Sequence, residues 1–113
     1  MTLNDVVEKL HLSIRTGEDR LGQELTGGYA SDLLSDVIAN SKTGNVWVTM
    51  QTHVNIVAVA VLKELAAIII VQGRQPSEDT IKKAKEEKVV LLVGDMPAFE
   101  TVGRIYRLFD GGT

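Results

Sequence analysis

The stretch from Val54 to Val71 constrains this chain more than any other. From Val54, the apolar residues Val57, Ala58, Val61, Leu62 and Leu65 recur with the i, i+3, i+4, i+7 spacing of one helical face. Ala66 to Val71 is then apolar at every position, which fits a strand covered on both faces, as in a parallel sheet. The whole stretch is about as long as a membrane span. Asn55, Lys63 and Glu64 interrupt it, however, and a membrane helix would have to bury that charged pair. A buried helix feeding a buried strand meets the same pattern without that cost.

The flanking segments extend the alternation. Val46–Met50, with its β-branched and aromatic residues, reads as a strand in which Trp47 is core, and Val89–Val93 reads as another. Between the later strands Ser77 caps a helix with Glu78 and Asp79 in its first turn, and Glu78–Lys82 and Asp79–Lys83 are spaced for ion pairs. Thr52 is expected to cap the helix after Val46–Met50. Asp95 and Pro97 open a last helix with Phe99, Val102, Tyr106 and Phe109 turned inward, ended by Gly111 and Gly112. Upstream, Thr2 and Asp5 start a short helix with Val6, Val7 and Leu10 inward, followed by extended His11–Arg15 and a polar loop from Thr16 to Glu24. A short extended segment at Leu25–Tyr29 then leads to a helix carrying Leu33, Leu34, Val37 and Ile38, with Gly44 at its carboxyl end. From residue 45 the order is strand, helix, strand, helix, strand, helix, which implies parallel strands and right-handed crossovers. The expected fold class is α/β, a single domain over residues 1–113 with a mainly parallel β-sheet flanked by helices.

Charge and composition narrow the function classes. Fifteen acidic residues against twelve basic ones leave a formal charge of −3, which supplies no drive toward nucleic acid. The chain has no cysteine, so thiolate nucleophiles and cysteine-ligated clusters are excluded. The opening residues lack a basic segment, so a cytoplasmic location, with no membrane partner, is the expectation. No G-x-x-x-x-G-K-[ST] or G-x-G-x-x-G motif is present, the two histidines have no metal-ligand spacing, and no cofactor is implied.

The remaining candidates each have a bland counterpart. Thr26-Gly27-Gly28 can present backbone amides to an anion, or simply form a turn. Thr49 and Gln51 mark the end of a strand, Thr52 and His53 follow it, and Gly73 and Arg74 follow the next, so all lie where open α/β sheets bind ligands. His53 also reads as a surface histidine and Arg74 as a solvated loop arginine. Asp95 reads as a cap, and the cluster from Lys82 to Lys88 as a solvated helix face. All nine residues from Thr26 to Arg74 named here are expected to converge on one edge of the sheet.

The segment Leu25-Thr26-Gly27-Gly28-Tyr29-Ala30-Ser31-Asp32-Leu33-Leu34-Ser35-Asp36-Val37 resembles the DRTGG domain family. Thr26, Gly27 and Gly28 match the last three motif residues, while Glu24 and Leu25 stand in place of its Asp and Arg. The segments from Trp47 to His53 and from Gly73 through the last helix look like the same family. The resemblance extends to the amino-terminal domain of HPr kinase/phosphorylase, whose catalytic P-loop lies in a separate domain, so kinase activity is not implied. Related domains accompany phosphotransacetylases and CBS-domain pyrophosphatases as regulatory or dimer-forming modules, and stand-alone versions occur near iron-hydrogenase genes. The resemblance therefore implies a non-catalytic module that senses a small anionic metabolite or nucleotide. As partners it implies a second copy of the chain and a protein such as a hydrogenase or metabolic enzyme. The competing expectation is a small phosphotransfer or hydrolytic enzyme using His53 with Asp32 or Asp95.

Overall fold

The first helix is set by a reciprocal cap. The Thr2 hydroxyl accepts from the Asp5 amide at 3.3 Å, and the Asp5 carboxylate accepts from the Thr2 amide at 2.9 Å. The computed structural model describes residues 1–111, so the expected role of Gly112 in ending the last helix lies outside them. In chain order the elements are α1 (Leu3–Leu10), β1 (Ser13–Thr16), a 3-10 turn at Glu18–Arg20, β2 (Gly27–Ala30), α2 (Leu34–Asn40) and β3 (Asn45–Thr49). They continue with α3 (Asn55–Lys63), β4 (Ala67–Ile70), α4 (Glu78–Glu86), β5 (Leu91–Val93) and α5 (Ala98–Phe109).

The five strands form one sheet in the order β1-β5-β4-β3-β2. β2 to β5 are parallel, and β1 joins β5 antiparallel. Each parallel strand is laid beside the last in a single direction, so right-handed crossovers put α2, α3 and α4 on the same face. α1 and α5 cover the other face. The pleat then divides the strands between two cores: Val46, Val48, Ala67, Ile69 and Leu92 pack with α1 and α5, whereas Trp47, Ile68, Ile70, Leu91 and Val93 pack with the crossover helices. β4 is buried at every residue, as its unbroken apolar run implies. Trp47 is fully buried and its Nε1 donates to the Ser31 carbonyl at 2.9 Å. The mainly parallel α/β architecture is therefore the observed one.

Helix faces and caps differ from the sequence pattern in several places. α3 is apolar nearly all round, so its periodicity does not fix its rotation. Ile56, Val57, Val59 and Ala60 are buried, while Val54, Val61 and Leu62 are exposed. In α2 only Val37 is fully buried, and Leu33 and Ile38 are exposed. In α5 the expected inward stripe is split: Phe99 is 93% exposed and Tyr106 71%, whereas Val102 and Phe109 are each 36% exposed and line a cleft against β2 and β3. Thr101 and Ile105 point in instead, and burial of Thr101 is cheap because its hydroxyl donates to the Pro97 carbonyl at 2.9 Å.

The caps differ for local reasons. Gly44 does adopt a left-handed φ of 82°, but it serves the turn into β3, since α2 already ends at its C-cap Ser41. Val54 and Pro97, not Thr52 and Asp95, are the N-caps of α3 and α5, and neither start has a side-chain cap. Ser77 does cap α4, its hydroxyl accepting from the Thr80 amide at 3.2 Å. On the exposed face of α4 the closed ion pair is Lys83–Glu87 at 3.4 Å, in place of Glu78–Lys82 and Asp79–Lys83.

Candidate functional site

Parallel strands gather their carboxyl ends, and the amino ends of the helices that follow, along one edge of the sheet. Thr49, Gln51, Thr52 and His53 leave β3 there, Gly73 and Arg74 leave β4, and Asp95 leaves β5. The loop after β4 turns on two successive left-handed residues, Gln72 at φ 61° and Gly73 at φ 64°. Their amides donate to the Met96 carbonyl at 2.9 Å and the Gly94 carbonyl at 2.8 Å, which fastens this loop to the one after β5. A Cβ on Gly73 would stand 3.3 Å from the Asp95 carboxylate, so the loops are in close contact.

The loop after β3 is fastened on two sides. The Thr80 hydroxyl, on the first turn of α4, donates to the Thr52 carbonyl at 2.7 Å. The Asp32 carboxylate accepts from the Thr49 hydroxyl at 2.8 Å and the Met50 amide at 2.7 Å, and the Gln51 side chain donates to the Asp32 carbonyl at 3.0 Å. Thr49 and Gln51 thus build the loop, and Asp32 is its latch. His53 and Arg74 are exposed beyond it, and among the described residues neither side chain has a hydrogen-bond or ion-pair partner. Arg15 reaches the same edge from β1 and donates to the Gln75 side chain, whose amide nitrogen donates to the Gly73 carbonyl at 3.0 Å. Neither Arg15 nor Gln75 stands out in the sequence, because the antiparallel pairing of β1 with β5 that unites them has no local signal.

Thr26, Gly27 and Gly28 lie at the other end. In the parallel register Gly27 faces Asn45 and Gly28 faces Val46, at the start of β3, while Thr49 is at its finish. At about 3.3 Å per residue the two ends of β3 are on the order of 13 Å apart. The expected convergence of all nine residues is therefore overturned. The cause is topological: Thr26 immediately precedes β2 and Gly27 and Gly28 form its amino end, whereas the other candidates end their strands or follow them. At this end Thr26 is a brace: its hydroxyl donates to the Thr43 carbonyl at 2.7 Å and accepts from the Asn45 side chain at 3.1 Å. Gly28 and Ala30 instead floor a small apolar cleft of about 90 Å³ beside α5.

Among the described residues no cluster of three or more histidines, aspartates or glutamates is placed to hold a metal ion. Nor is any helix there long and apolar enough to cross a membrane.

No protein-family model matches the chain, and no curated protein does. Among solved structures it is similar to the CBS and DRTGG domains of the regulatory region of Clostridium perfringens pyrophosphatase, complexed with the activator diadenosine tetraphosphate. The TM-score is 0.69 at 14% identity, over 92% of this chain and 45% of that one. The fold is DRTGG-like. The chain spans less than half of the structure it matches, so the likeness extends to architecture and not to the activity of the whole protein.

Proposed function

We propose that this domain is a non-catalytic regulatory module that senses a small anionic metabolite or nucleotide at the carboxyl edge of its sheet. The observation that carries this reading is the pair of exposed side chains, His53 and Arg74, without partners among the described residues and held on two loops that are each fastened to their neighbours. A guanidinium on a fixed loop is preorganised for phosphate or carboxylate, and the amino ends of α3 and α4 add favourable dipoles. The Thr52 hydroxyl lies beside them, while Gln51 and Gly73 hold the loops in place through bonds to Asp32, Gly94 and Gln75. The fold shared with a nucleotide-activated regulatory region supports the same direction.

The enzymatic alternative, His53 acting with Asp32 or Asp95, has less support. The Asp32 carboxylate already accepts two hydrogen bonds within the loop, and His53 makes no carboxylate contact among the described residues. The regulatory reading includes self-association and a protein partner, a hydrogenase or another enzyme of redox or phosphate metabolism, as the route by which ligand binding is read out. The test is a titration with ATP, diadenosine tetraphosphate and phosphorylated metabolites, followed by backbone NMR. Saturable shifts at residues 51–53 and 72–75 are expected. Shifts confined to the amino edge around Thr26, or steady turnover of any of these compounds, overturn the reading.

A further inference from the structure

We infer that the outward apolar stripe of α5 is a two-fold interface, packed against α5 of a second copy in antiparallel register about Gly103. This deepens the self-association proposed above and rests on it, but it does not depend on the ligand site.

The stripe consists of Phe99 and Tyr106, both largely exposed, flanked by Val102 and Phe109, each 36% exposed. An aromatic side chain buries about 150–250 Å² in a contact. At the observed exposures the stripe offers roughly 400 Å² of apolar surface per copy, on the order of 800 Å² for a pair, before the polar rim is counted. With the rim this reaches about 1,000 Å², where specific interfaces begin.

The positions on the helix argue for a second copy rather than an unrelated partner, because they are self-complementary. Phe99 and Tyr106 stand on either side of Gly103, as do Glu100 and Arg107. An antiparallel pair with its two-fold axis near Gly103 therefore sets Phe99 of one copy against Tyr106 of the other. The same operation sets Glu100 of one copy beside Arg107 of the other, twice over. Asp110, just past the carboxyl end of each helix, comes level with the amino end of the other, where a negative charge is favourable.

Gly103 is the centre of this arrangement. It lies within a helix, where glycine costs about 1 kcal/mol relative to alanine. Nothing lies within 4 Å of where its Cβ would be, so no contact inside the protein requires it. A missing side chain at the crossing point lets two helix axes approach closely. The cleft over Gly28 and Ala30, bordered by Val102, Tyr106 and Phe109, continues the same apolar surface toward the open edge of β2.

Sedimentation equilibrium of the full chain tests the proposal. The wild type is expected to dimerise with a dissociation constant of tens of micromolar or tighter. Phe99→Asp and Tyr106→Asp are each expected to weaken the dimer by about tenfold or more while leaving the circular dichroism spectrum unchanged, since both side chains are exposed in the single chain. Arg107→Glu alone is expected to weaken it, and the combination with Glu100→Lys to restore it, which an arrangement without that cross-contact does not produce. A chain that stays monomeric overturns both this interface and the proposed self-association. A dimer insensitive to the α5 changes but broken by Leu62→Asp, on the exposed side of α3, overturns this interface alone. Loss of the dimer in the single variants without restoration in the charge swap overturns the antiparallel register.

Discussion

The Tyr29 hydroxyl donates to the Asp36 carboxylate at 2.8 Å, tying the edge strand β2 to the crossover helix α2. This hydrogen bond holds the Asp36 carboxyl below its ordinary value of 3.8, with further help from Ser31 and Asn40. It raises the Tyr29 phenol above its ordinary 10.0, through the bond itself and then through burial and the Asp36 charge. One contact thus moves the two groups in opposite directions.

The two shifts predict a stability that declines at both ends of the pH scale. The lowered Asp36 contributes fully above 3.8 and loses its contribution as pH falls through the depressed folded value. The raised Tyr29 contributes fully below 10.0 and loses its contribution as pH rises through the elevated folded value. Urea midpoints measured across both ranges should therefore flatten in Tyr29→Phe. The acid limb will flatten only in part, because Asp5 is also held low, chiefly by the Thr2 amide. An acid limb identical to wild type would show that the Tyr29 contact does not act on Asp36.

A second prediction concerns the latch on the loop after β3. Asp32→Ala removes the acceptor for the buried Thr49 hydroxyl and for the Met50 amide. Leaving one buried donor, the Thr49 hydroxyl, unpaired costs about 1–3 kcal/mol. Equilibrium unfolding should show a loss of that order, together with faster amide exchange from Met50 to His53. A change below about 0.5 kcal/mol would mean that water replaces the carboxylate at no net cost.

What the sequence disclosed and what it hid follow from the range of the interactions. Ser77 and the Thr2–Asp5 box were legible because a cap needs only its own turn. β4 was legible because burial on both faces leaves an unbroken apolar run. The rotation of α5 was hidden, since Phe99, Val102, Tyr106 and Phe109 have the period of a core face and only tertiary packing shows that Thr101 and Ile105 take it. The candidate site was half legible for a related reason. Position after a strand identifies the carboxyl edge for His53 and Arg74, but Thr26-Gly27-Gly28 could be placed only once β2 was known to run parallel to β3.

Gly44 provides a third test. Its φ of 82° is unfavourable for any L side chain, and a Cβ would come within 2.7 Å of Thr26 Cγ2. Gly44→Ala is expected to cost more than about 1 kcal/mol. The effect should shrink when Thr26→Ser is added, since that removes the methyl group in collision. Equal costs in both backgrounds would assign the whole penalty to backbone strain.

The last prediction separates the two ends of the sheet. Thr26→Val keeps the shape of the side chain but removes the hydroxyl that bridges Thr43 and Asn45, so stability should fall by about 1 kcal/mol. Ligand affinity should stay constant, because Thr26 lies at the amino edge, away from the candidate site. Arg74→Ala should do the reverse. Its side chain has no partner among the described residues, so unfolding is unaffected, while loss of a charge-assisted hydrogen bond to an anion costs about 1.5–3 kcal/mol, roughly ten- to hundredfold in affinity. Thermal melts with and without the nucleotides that shift the NMR spectrum measure both quantities in one experiment. If Thr26→Val weakens binding as much as Arg74→Ala does, the ligand is not held at the carboxyl edge alone.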